Sequence, residues 1–325
     1  MTAARPCSAE ALRLAADEAR ERYDLSSIIG RRTKLRRAGR EWRGLCVFHA
    51  EKTPSLHVND ATGLYHCFGC GAGGDPIRFV METEGVGFTD ALRWLGAASL
   101  PAVDPEQRAR AVAEDAAARA EAIAEAAEVW ASAVPAAGTP AEVYARARGV
   151  TVPLPDSIRF ARTYAWRDRE TGEIGPNLPA MLGAVVDGAG ELIGLQRIFL
   201  ADGGRAKARM KNPKRTLGRV LGGALRLAPP AAEVIVCEGP EDGLTLAQEL
   251  PGRSVWVALG TAMMPAIQYP PEVRSIVLAG DNNAAGRSAV ERAALALNDA
   301  GYGVRTMYPE PAFADFNDML RGVRL

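Results

Sequence analysis

Hydrophobic and polar positions divide the chain into an N-terminal part of mixed character and a C-terminal part with regular alternation. Residues 8–22 show helical periodicity, and residues 25–100 mix short β-like runs with glycine-rich turns around a predicted helix at residues 75–84. From residue 233 onward, apolar strands alternate with helical segments. Such alternation is typical of a parallel α/β sheet.

Two segments between these regions have their own character. Residues 104–128 are dominated by alanine, with seven acidic and three basic residues, which predicts a solvated helix or a helical linker. Further β-like pieces and a basic stretch follow it. We therefore predict a multidomain protein that combines α+β and α/β folds. The predicted domains cover residues 1–100, 101–140, 141–228 and 229–325.

Composition changes this picture only locally. The chain has 39 Lys and Arg against 39 Asp and Glu, and this net charge of zero by itself argues against a nucleic-acid partner. Residues 31–43, however, hold seven basic residues and one acidic residue, and residues 197–219 hold eight and one. Such runs are usually solvated faces. Beside Trp42, Tyr65 and Phe68, the first run also suits single-stranded nucleic acid, because cations contact phosphates and aromatic rings stack on bases.

The cysteines and histidines suggest a metal site. No apolar run is long enough to span a membrane, and the N-terminus lacks the apolar core of a signal peptide, so we expect a cytoplasmic protein in which clustered cysteines bind metal. Cys46 and His49 are separated by two residues, as are Cys67 and Cys70, with seventeen residues between the pairs. Four such ligands predict one structural zinc ion. His66 is an alternative to His49, and the spacing could also be accidental.

The sequence around these ligands resembles a known family. Residues 44–95, with the phrases CVFHAEKTPS and YHCFGCGAGGD, are similar to the Cys-His-Cys-Cys (CHC2) zinc-binding domain of bacterial DnaG-type primases. The resemblance implies a zinc-ribbon-like N-terminal domain that helps to select the initiation site on the template. It also implies that the neighbouring basic residues contact template DNA and that zinc is held by Cys46, His49, Cys67 and Cys70.

Two carboxylates follow strands of the C-terminal part. Glu238 comes directly after the strand EVIVC, and Asp281 follows the strand SIVLAG. Because the carboxyl ends of parallel strands line a common crevice, these side chains can converge although they are far apart in sequence. Carboxylates at such a position suit Mg²⁺. The alternative is that both are solvent-exposed turn residues.

This region resembles the Toprim domain shared by DnaG-type primases, topoisomerases and some nucleases. The phrases EGPEDGL and DNNAAGR carry the resemblance, and ADFNDML looks like the ending of phage and plasmid Toprim proteins. It implies that Glu238 is the family glutamate, that Asp281 is the first aspartate of the DxD motif, and that Asn283 replaces the second. Because asparagine is uncharged, Mg²⁺ affinity should fall.

Other residues are candidates to complete the site that this resemblance implies. Asp315 or Asp318 could compensate for the asparagine if the last loop folds over the site, and Asp242 is a further candidate ligand. Arg287 could pair with a phosphate, although a surface role is an equal alternative. The basic run resembles the part of the primase core that holds the template-product hybrid and triphosphates. Its leading candidates are Lys211, Asn212 and Lys214.

The order of zinc module, basic segment and Toprim domain is that of DnaG-type primases. The resemblance implies a primase that copies single-stranded DNA from ribonucleoside triphosphates with Mg²⁺ or Mn²⁺, with a replicative helicase as a further candidate partner and no membrane. We expect a compact phage- or plasmid-like form without the helicase-binding domain. The alternatives are a weakly catalytic or non-catalytic single-stranded DNA-binding protein and a Toprim nuclease or topoisomerase-like enzyme.

Overall fold

The chain divides into two units within an alanine-rich helix of 27 residues, Pro105–Ala131. The first unit ends at Ala118, and the second begins at Arg119. The computed structural model describes residues 9–97, 104–168 and 171–325. Alanine has the highest helix propensity, so composition alone explains why this stretch is helical. The helical region predicted from the sequence is confirmed.

The first unit combines a small antiparallel sheet with short helices. In chain order its elements are α1 (Ala9–Arg22), α2 (Leu25–Ile29), β1 (Arg36–Ala38), β2 (Glu41–Gly44), β3 (Leu56–Asn59), β4 (Leu64–Cys67), β5 (Gly73–Gly74), α3 (Pro76–Glu84) and α4 (Phe88–Ala97). The strands pair in the order β1-β2-β3-β4-β5. Helix α3, which the sequence predicts, begins after Asp75, whose carboxylate accepts a hydrogen bond from the Arg78 N–H, and ends at Gly85 with a φ of 65°.

The core of the first unit follows the alternation of its strands. Leu56 and Val58 of β3 are fully buried, while His57 between them faces the other side of the sheet. The buried rings of Tyr65 and Phe79 pack edge to face, with centroids 5.4 Å apart. The sheet therefore lies against the helices on one face, in the zinc-ribbon arrangement that the resemblance implies.

The second unit is built on one large mixed sheet. After α5 (Pro105–Ala131), its elements are β6 (Val134–Pro135), α6 (Pro140–Ala147), β7 (Ile158–Tyr164), β8 (Asn177–Val186), β9 (Leu192–Phe199), β10 (Lys214–Gly218), β11 (Ala224–Arg226), β12 (Glu233–Cys237), α7 (Pro240–Glu249), β13 (Ser254–Val257), the 3-10 helix Thr261–Ala266, β14 (Ser275–Ala279), α8 (Ala284–Asp299), β15 (Gly303–Met307) and α9 (Phe316–Arg321). The main strand order is β10-β9-β8-β11-β13-β12-β14-β15, with β7 beside β8 and β6 beside β7.

This sheet changes from antiparallel to parallel pairing at β13. Neighbouring strands are antiparallel in the first part of this order, β10-β9-β8-β11-β13. They are parallel in the second part, β13-β12-β14-β15. The parallel half agrees with the α/β alternation predicted from residue 233. The predicted segments 141–228 and 229–325 share this sheet, because Leu225 pairs with Val257 across the junction. The fold class predicted from the sequence is confirmed.

The register of the parallel strands brings the two predicted carboxylates to one edge. Cys237 at the end of β12 pairs with Ala279 at the end of β14, so Glu238 and Asp281 leave the sheet at the same level. The strands themselves are apolar and buried on both faces, as parallel strands between helices require. Within the described ranges, we find no helix with the length and apolar character needed to cross a membrane.

Candidate functional sites

The four predicted zinc ligands come together in the first unit. The ligand atoms of the set all lie within 4.8 Å of one another. The Cys46 and Cys70 sulfurs are 3.7 Å apart, and the Cys67 sulfur is 3.8 Å from Nδ1 of His49. Three sulfurs and one imidazole in this arrangement fit a tetrahedral zinc ion with no open position. We call Cys46, His49, Cys67 and Cys70 the zinc group.

Backbone and side-chain contacts hold the zinc group in place. The Phe48 N–H points at the Cys46 sulfur and the Cys70 N–H at the Cys67 sulfur, each at 3.4 Å. Oε2 of Glu51 lies 3.4 Å from Nε2 of His49, so Nδ1 is left to face the sulfurs. A carboxylate behind a histidine ligand is a common way to orient it. The sequence analysis missed Glu51, although it lies in the EKTPS phrase.

The remaining histidines and aromatic residues lie outside the zinc group. His57 Nδ1 is 2.9 Å from a Glu41 carboxylate oxygen, and Nε2 of His66 is buried without a hydrogen-bond partner among the described residues. Phe68 packs edge-on against both rings and is 42% exposed. The expectation that Tyr65 offers a stacking face is wrong, because this ring is buried in the core at 2% exposure.

The basic run at residues 31–43 forms the outer hairpin of the first sheet. Its lysine and arginine side chains are exposed. The Arg37 guanidinium lies 5.1 Å from the centre of the Trp42 ring, whose Nε1 donates to Asp60 at 2.8 Å. Trp42 is therefore partly occupied by contacts within the unit. The cations and Phe68 are exposed, although some of the cations, such as Arg32 with Glu84, also pair within the unit.

In the second unit, electrostatic interactions link four carboxylates in a chain. Burial, and then the charge of Asp281, raises the pKa of Glu238. Burial, and then Asp315, raises the pKa of Asp281, and the same two causes raise the pKa of Asp242 to about 7. We call Glu238, Asp242, Asp281 and Asp315 the acidic group. Carboxylates that oppose one another's ionisation in this way favour cation binding.

The acidic group is more open than the zinc group. Over residues 9–97, 104–168 and 171–325, the zinc group is the only set of three or more His, Cys, Asp or Glu side chains whose ligand atoms converge. Mg²⁺ tolerates such openness, because it is usually held by one or two carboxylates while waters and substrate phosphates fill the other positions. The donors therefore fit Mg²⁺ or Mn²⁺ that arrives with a nucleotide.

The last loop folds over the acidic group. The sequence analysis made this the condition under which Asp315 or Asp318 could compensate for the uncharged Asn283. Asp315 caps α9 and accepts a hydrogen bond from the Asp318 N–H at 2.6 Å. The Asn317 N–H donates to Oδ1 of Asp242 at 3.0 Å, which ties this loop to α7. Asp318 itself lies 3.5 Å from Arg321. Of the two candidates for compensation, Asp315 is the one whose charge reaches Asp281.

The asparagines of the DNNAAGR phrase have structural contacts. Oδ1 of Asn283 accepts a hydrogen bond from the Gly286 N–H at 2.8 Å and caps α8. The Asn282 side chain donates at 2.9 Å to carbonyls of the last loop, namely those of Pro309, Glu310 and Phe313. Asn282 was missed from the sequence, because a variable position inside a motif gives no signal of such contacts.

Arg287 has side-chain contacts outside the acidic group. Its guanidinium is 4.4 Å from the centre of the Tyr308 ring and donates to Oδ1 of Asn282. The side chain is exposed. Its predicted role as a phosphate ligand stays a prediction, and the structure places it outside the lining of the cleft described next.

A cleft of about 780 Å³ adjoins the acidic group. Glu238 and Gly239 form part of its wall, and the basic segment supplies most of the remainder. The predicted phosphate ligands Lys211 and Lys214 both line it, as does Asn212. The polar and charged side chains of the lining are Gln196, Lys207, Lys211, Asn212, Lys214, Arg215, Thr216 and Glu238.

Family models match the two segments that contain these sites. Residues 12–110 match the family described as CHC2 zinc finger, residues 233–323 match the Toprim domain, and residues 120–227 match a domain of unknown function, DUF7146. The DNA primases of Thermotoga maritima and Geobacillus stearothermophilus are 44% and 46% identical to the chain over 79 and 78 residues. Each match covers 24% of this chain but only 14% and 13% of those primases.

Solved structures of primases also align with the chain. The zinc-binding and RNA polymerase domains of the Aquifex aeolicus primase align over 95% of this chain and 82% of theirs, at 20% identity and a TM-score of 0.42. The DnaG primase catalytic domain bound to single-stranded DNA aligns over 64% of this chain and 79% of its own, with a TM-score of 0.44. The chain thus carries a CHC2 zinc finger followed by a Toprim domain, and bacterial DNA primases are its homologues over about a quarter of its length.

Proposed function

We propose that this protein is a DNA primase, which synthesises short RNA primers on single-stranded DNA from ribonucleoside triphosphates. The observation that carries the proposal is the position of the acidic group next to a lysine-lined cleft of about 780 Å³. This volume lies in the range of small-molecule sites. Carboxylates beside cations suit phosphoryl transfer, in which metal ions and basic side chains share the charge of a triphosphate.

Glu238 and Asp281 are the proposed holders of Mg²⁺ or Mn²⁺. When bound, two such ions lower the effective charge of the attacking 3′ oxygen and stabilise the pyrophosphate leaving group. Asp315 supplies the charge that Asn283 lacks, and Asn283 itself offers only a neutral oxygen already used as a helix cap. Asp242 accepts a backbone hydrogen bond and adds negative charge when it is ionised.

The basic residues of the cleft are proposed to orient the nucleotide. Lys211, Lys214 and Glu238 all line it, so a triphosphate there lies within reach of ammonium groups and of a carboxylate. Lysine suits this task as a compact cation with three donors. Arg287 remains a candidate for a more distant phosphate.

The zinc group is proposed to bind one structural zinc ion. Its four protein ligands leave no position for a substrate, so the ion would serve the fold of the finger. The exposed cations of residues 31–43 and the half-exposed ring of Phe68 would then contact the template strand.

A priming assay tests the proposal. Purified, zinc-loaded protein is incubated with single-stranded DNA and labelled ribonucleotides, with Mg²⁺ and Mn²⁺ varied. We expect template-dependent dinucleotides and short RNA. If the protein binds single strands but makes no dinucleotide under any metal condition, the proposal loses to a non-catalytic binding protein. Cleavage of the DNA without synthesis would favour a nuclease.

A further inference from the structure

Glu241, a buried carboxylate with no role in the proposed mechanism, lies at the centre of an ion network. Its side chain is 7% exposed. One carboxylate oxygen is 2.8 Å from Nζ of Lys207, and the other is 2.9 Å from Nζ of Lys214. The Tyr144 hydroxyl donates to the first oxygen at 2.8 Å. One acidic residue of α7 therefore binds two lysines from the basic segment, one through each oxygen.

Both lysines also line the cleft beside Glu238. An ammonium group has three N–H donors, and the contact with Glu241 uses one of them. Each ammonium group therefore has further donors to offer a second anion. Two ammonium groups held on a single carboxylate must also lie close together, although like charges repel. Glu241 thus overcomes the repulsion that would otherwise separate them.

We propose that Glu241 positions Lys207 and Lys214 as a paired cation site for the polyphosphate of a nucleotide bound in this cleft. The inference rests on the proposed function and adds Lys207 to the nucleotide-binding residues. Glu241 acts through the lysines and does not touch the reacting atoms. The network joins the DUF7146 segment to the Toprim domain, so each contributes part of one site.

The charges around the lysines explain why they need this partner. Burial lowers the pKa of Lys207, and Glu241 opposes that effect. For Lys214 burial also lowers the pKa, but Glu241 reverses this and leaves it raised. The charged and titratable groups that face the two lysines are Tyr144, Arg148, Glu238, Glu241, Asp242 and Asp281. Without Glu241, burial and mutual repulsion would favour loss of a proton.

The test is pyrophosphate binding to the full, zinc-loaded chain, measured by isothermal titration calorimetry in buffer without Mg²⁺ or Mn²⁺, so that metal at the acidic group does not contribute. Glu241→Gln removes the charge and keeps the shape. We expect about tenfold weaker binding at alkaline pH, with recovery as the pH falls and the lysines regain their protons. Glu249→Gln, the same change at an exposed position of the same helix, should bind as the unaltered protein does.

A second variant covers the case in which Glu241→Gln does not fold. Glu241→Asp keeps the charge but withdraws the carboxylate by one methylene. We expect it to weaken pyrophosphate binding while the pH at which binding is lost stays close to that of the unaltered protein. Unchanged binding in Glu241→Asp would overturn the positioning role.

Pyrophosphate binding that is not weakened by Glu241→Gln would also overturn the proposal. Equal or tighter pyrophosphate binding at every pH would mean that Glu241 competes with phosphate for the lysines. Failure of the proposed function is a separate result. A protein that makes no primers but loses pyrophosphate binding with Glu241→Gln retains the paired cation site and is not a primase.

Discussion

The zinc group and the acidic group differ in how far the protein alone assembles them. The zinc ligands converge within 4.8 Å, and no other such set does so among the residues that the structure describes. The carboxylates of the acidic group influence one another without converging. A closed shell is what a structural ion needs, whereas a catalytic site must leave positions for substrate.

The two groups also differ in the surroundings of their ligand atoms. Backbone N–H groups point at the sulfurs of Cys46 and Cys67, and Glu51 fixes the imidazole. In the acidic group, burial and neighbouring carboxylates raise the pKa of Glu238, Asp242 and Asp281. The zinc group is therefore arranged for a permanently bound ion. In the acidic group the carboxylates repel one another, and a bound cation would reduce that repulsion.

Cys67→Ser should have the largest effect, because it opens the closed shell. Zinc binding and folding are coupled in small zinc modules and involve roughly 10 kcal/mol or more. We expect loss of zinc, measured by elemental mass spectrometry, and loss of hydrogen-exchange protection in β3 and β4, with protection retained in β12. Primer initiation should suffer more than extension of a preformed primer.

The control for this variant is a cysteine outside the zinc group. Cys237 lies in the core strand β12 and is buried. Cys237→Ala should keep one zinc ion per chain. Full zinc stoichiometry in Cys67→Ser would refute the ligand set.

Glu238→Gln and Asp281→Asn should break the acidic group without changing its shape. Metal ions at such sites contribute several kcal/mol of charge stabilisation, so we expect synthesis to fall by about 10²-fold or more. Single-strand affinity, measured by fluorescence anisotropy, should be nearly unchanged. Asp299→Asn, an exposed change at the end of α8, serves as the control. Equal loss of DNA binding in both variants would indicate a structural role.

Burial and the mutual repulsion of the carboxylates in the acidic group together predict that stability depends on pH. Asp242 has a pKa of about 7 in the folded protein, above the ordinary value of 3.8. Between these values the folded state holds a proton that the unfolded state has lost, so metal-free stability falls as the pH rises through this window. Thermal unfolding should record a loss on the order of a few kcal/mol.

Asp242→Asn isolates this contribution. It keeps an oxygen to accept the Asn317 N–H bond but cannot ionise. We expect it to stabilise the metal-free protein more at pH 8 than at pH 5, because pH 5 lies early in this window, while Mg²⁺ stabilises the unaltered protein more at pH 8 than at pH 5. A variant that is less stable at pH 8 than the unaltered protein would contradict the assigned repulsion.

The sequence predicted best those elements and site residues whose structure depends on neighbours that are close in sequence. The strand EVIVC and the helix after Asp75 follow from apolar pattern and capping residues, which act within a few positions. The spacing of Cys46, His49, Cys67 and Cys70 was likewise enough to predict their convergence. These features depend on neighbours that are close in sequence or fixed by strand direction.

Contacts between distant segments were not predictable in the same way. Glu241 binds Lys207 and Lys214, which lie 34 and 27 positions before it in the sequence. The sequence analysis singled out its neighbour Asp242 instead, because Asp242 fits a motif. Asn282 holds the last loop through carbonyls, which carry no side-chain signal. Tyr65 looked available for stacking because the sequence does not show which face of a strand is covered.

Asn283→Asp should have the smallest effect. It adds a carboxylate to the acidic group, so that the protein supplies more of the metal ligands, as it does in the zinc group. Aspartate caps helices as well as asparagine does, so the hydrogen bond from the Gly286 N–H should survive and the fold should not change. The new charge faces a site where Asp315 already compensates, and the position is exposed. We therefore expect a few-fold tighter Mg²⁺ dependence of synthesis, because an exposed charge is screened by solvent. Asn283→Ala, which removes the cap and adds no charge, should lower stability by about 1 kcal/mol without tightening Mg²⁺ dependence. If Asn283→Asp leaves the Mg²⁺ dependence unchanged while Asp315→Asn weakens it, the loop aspartate has taken over the role of the missing motif aspartate.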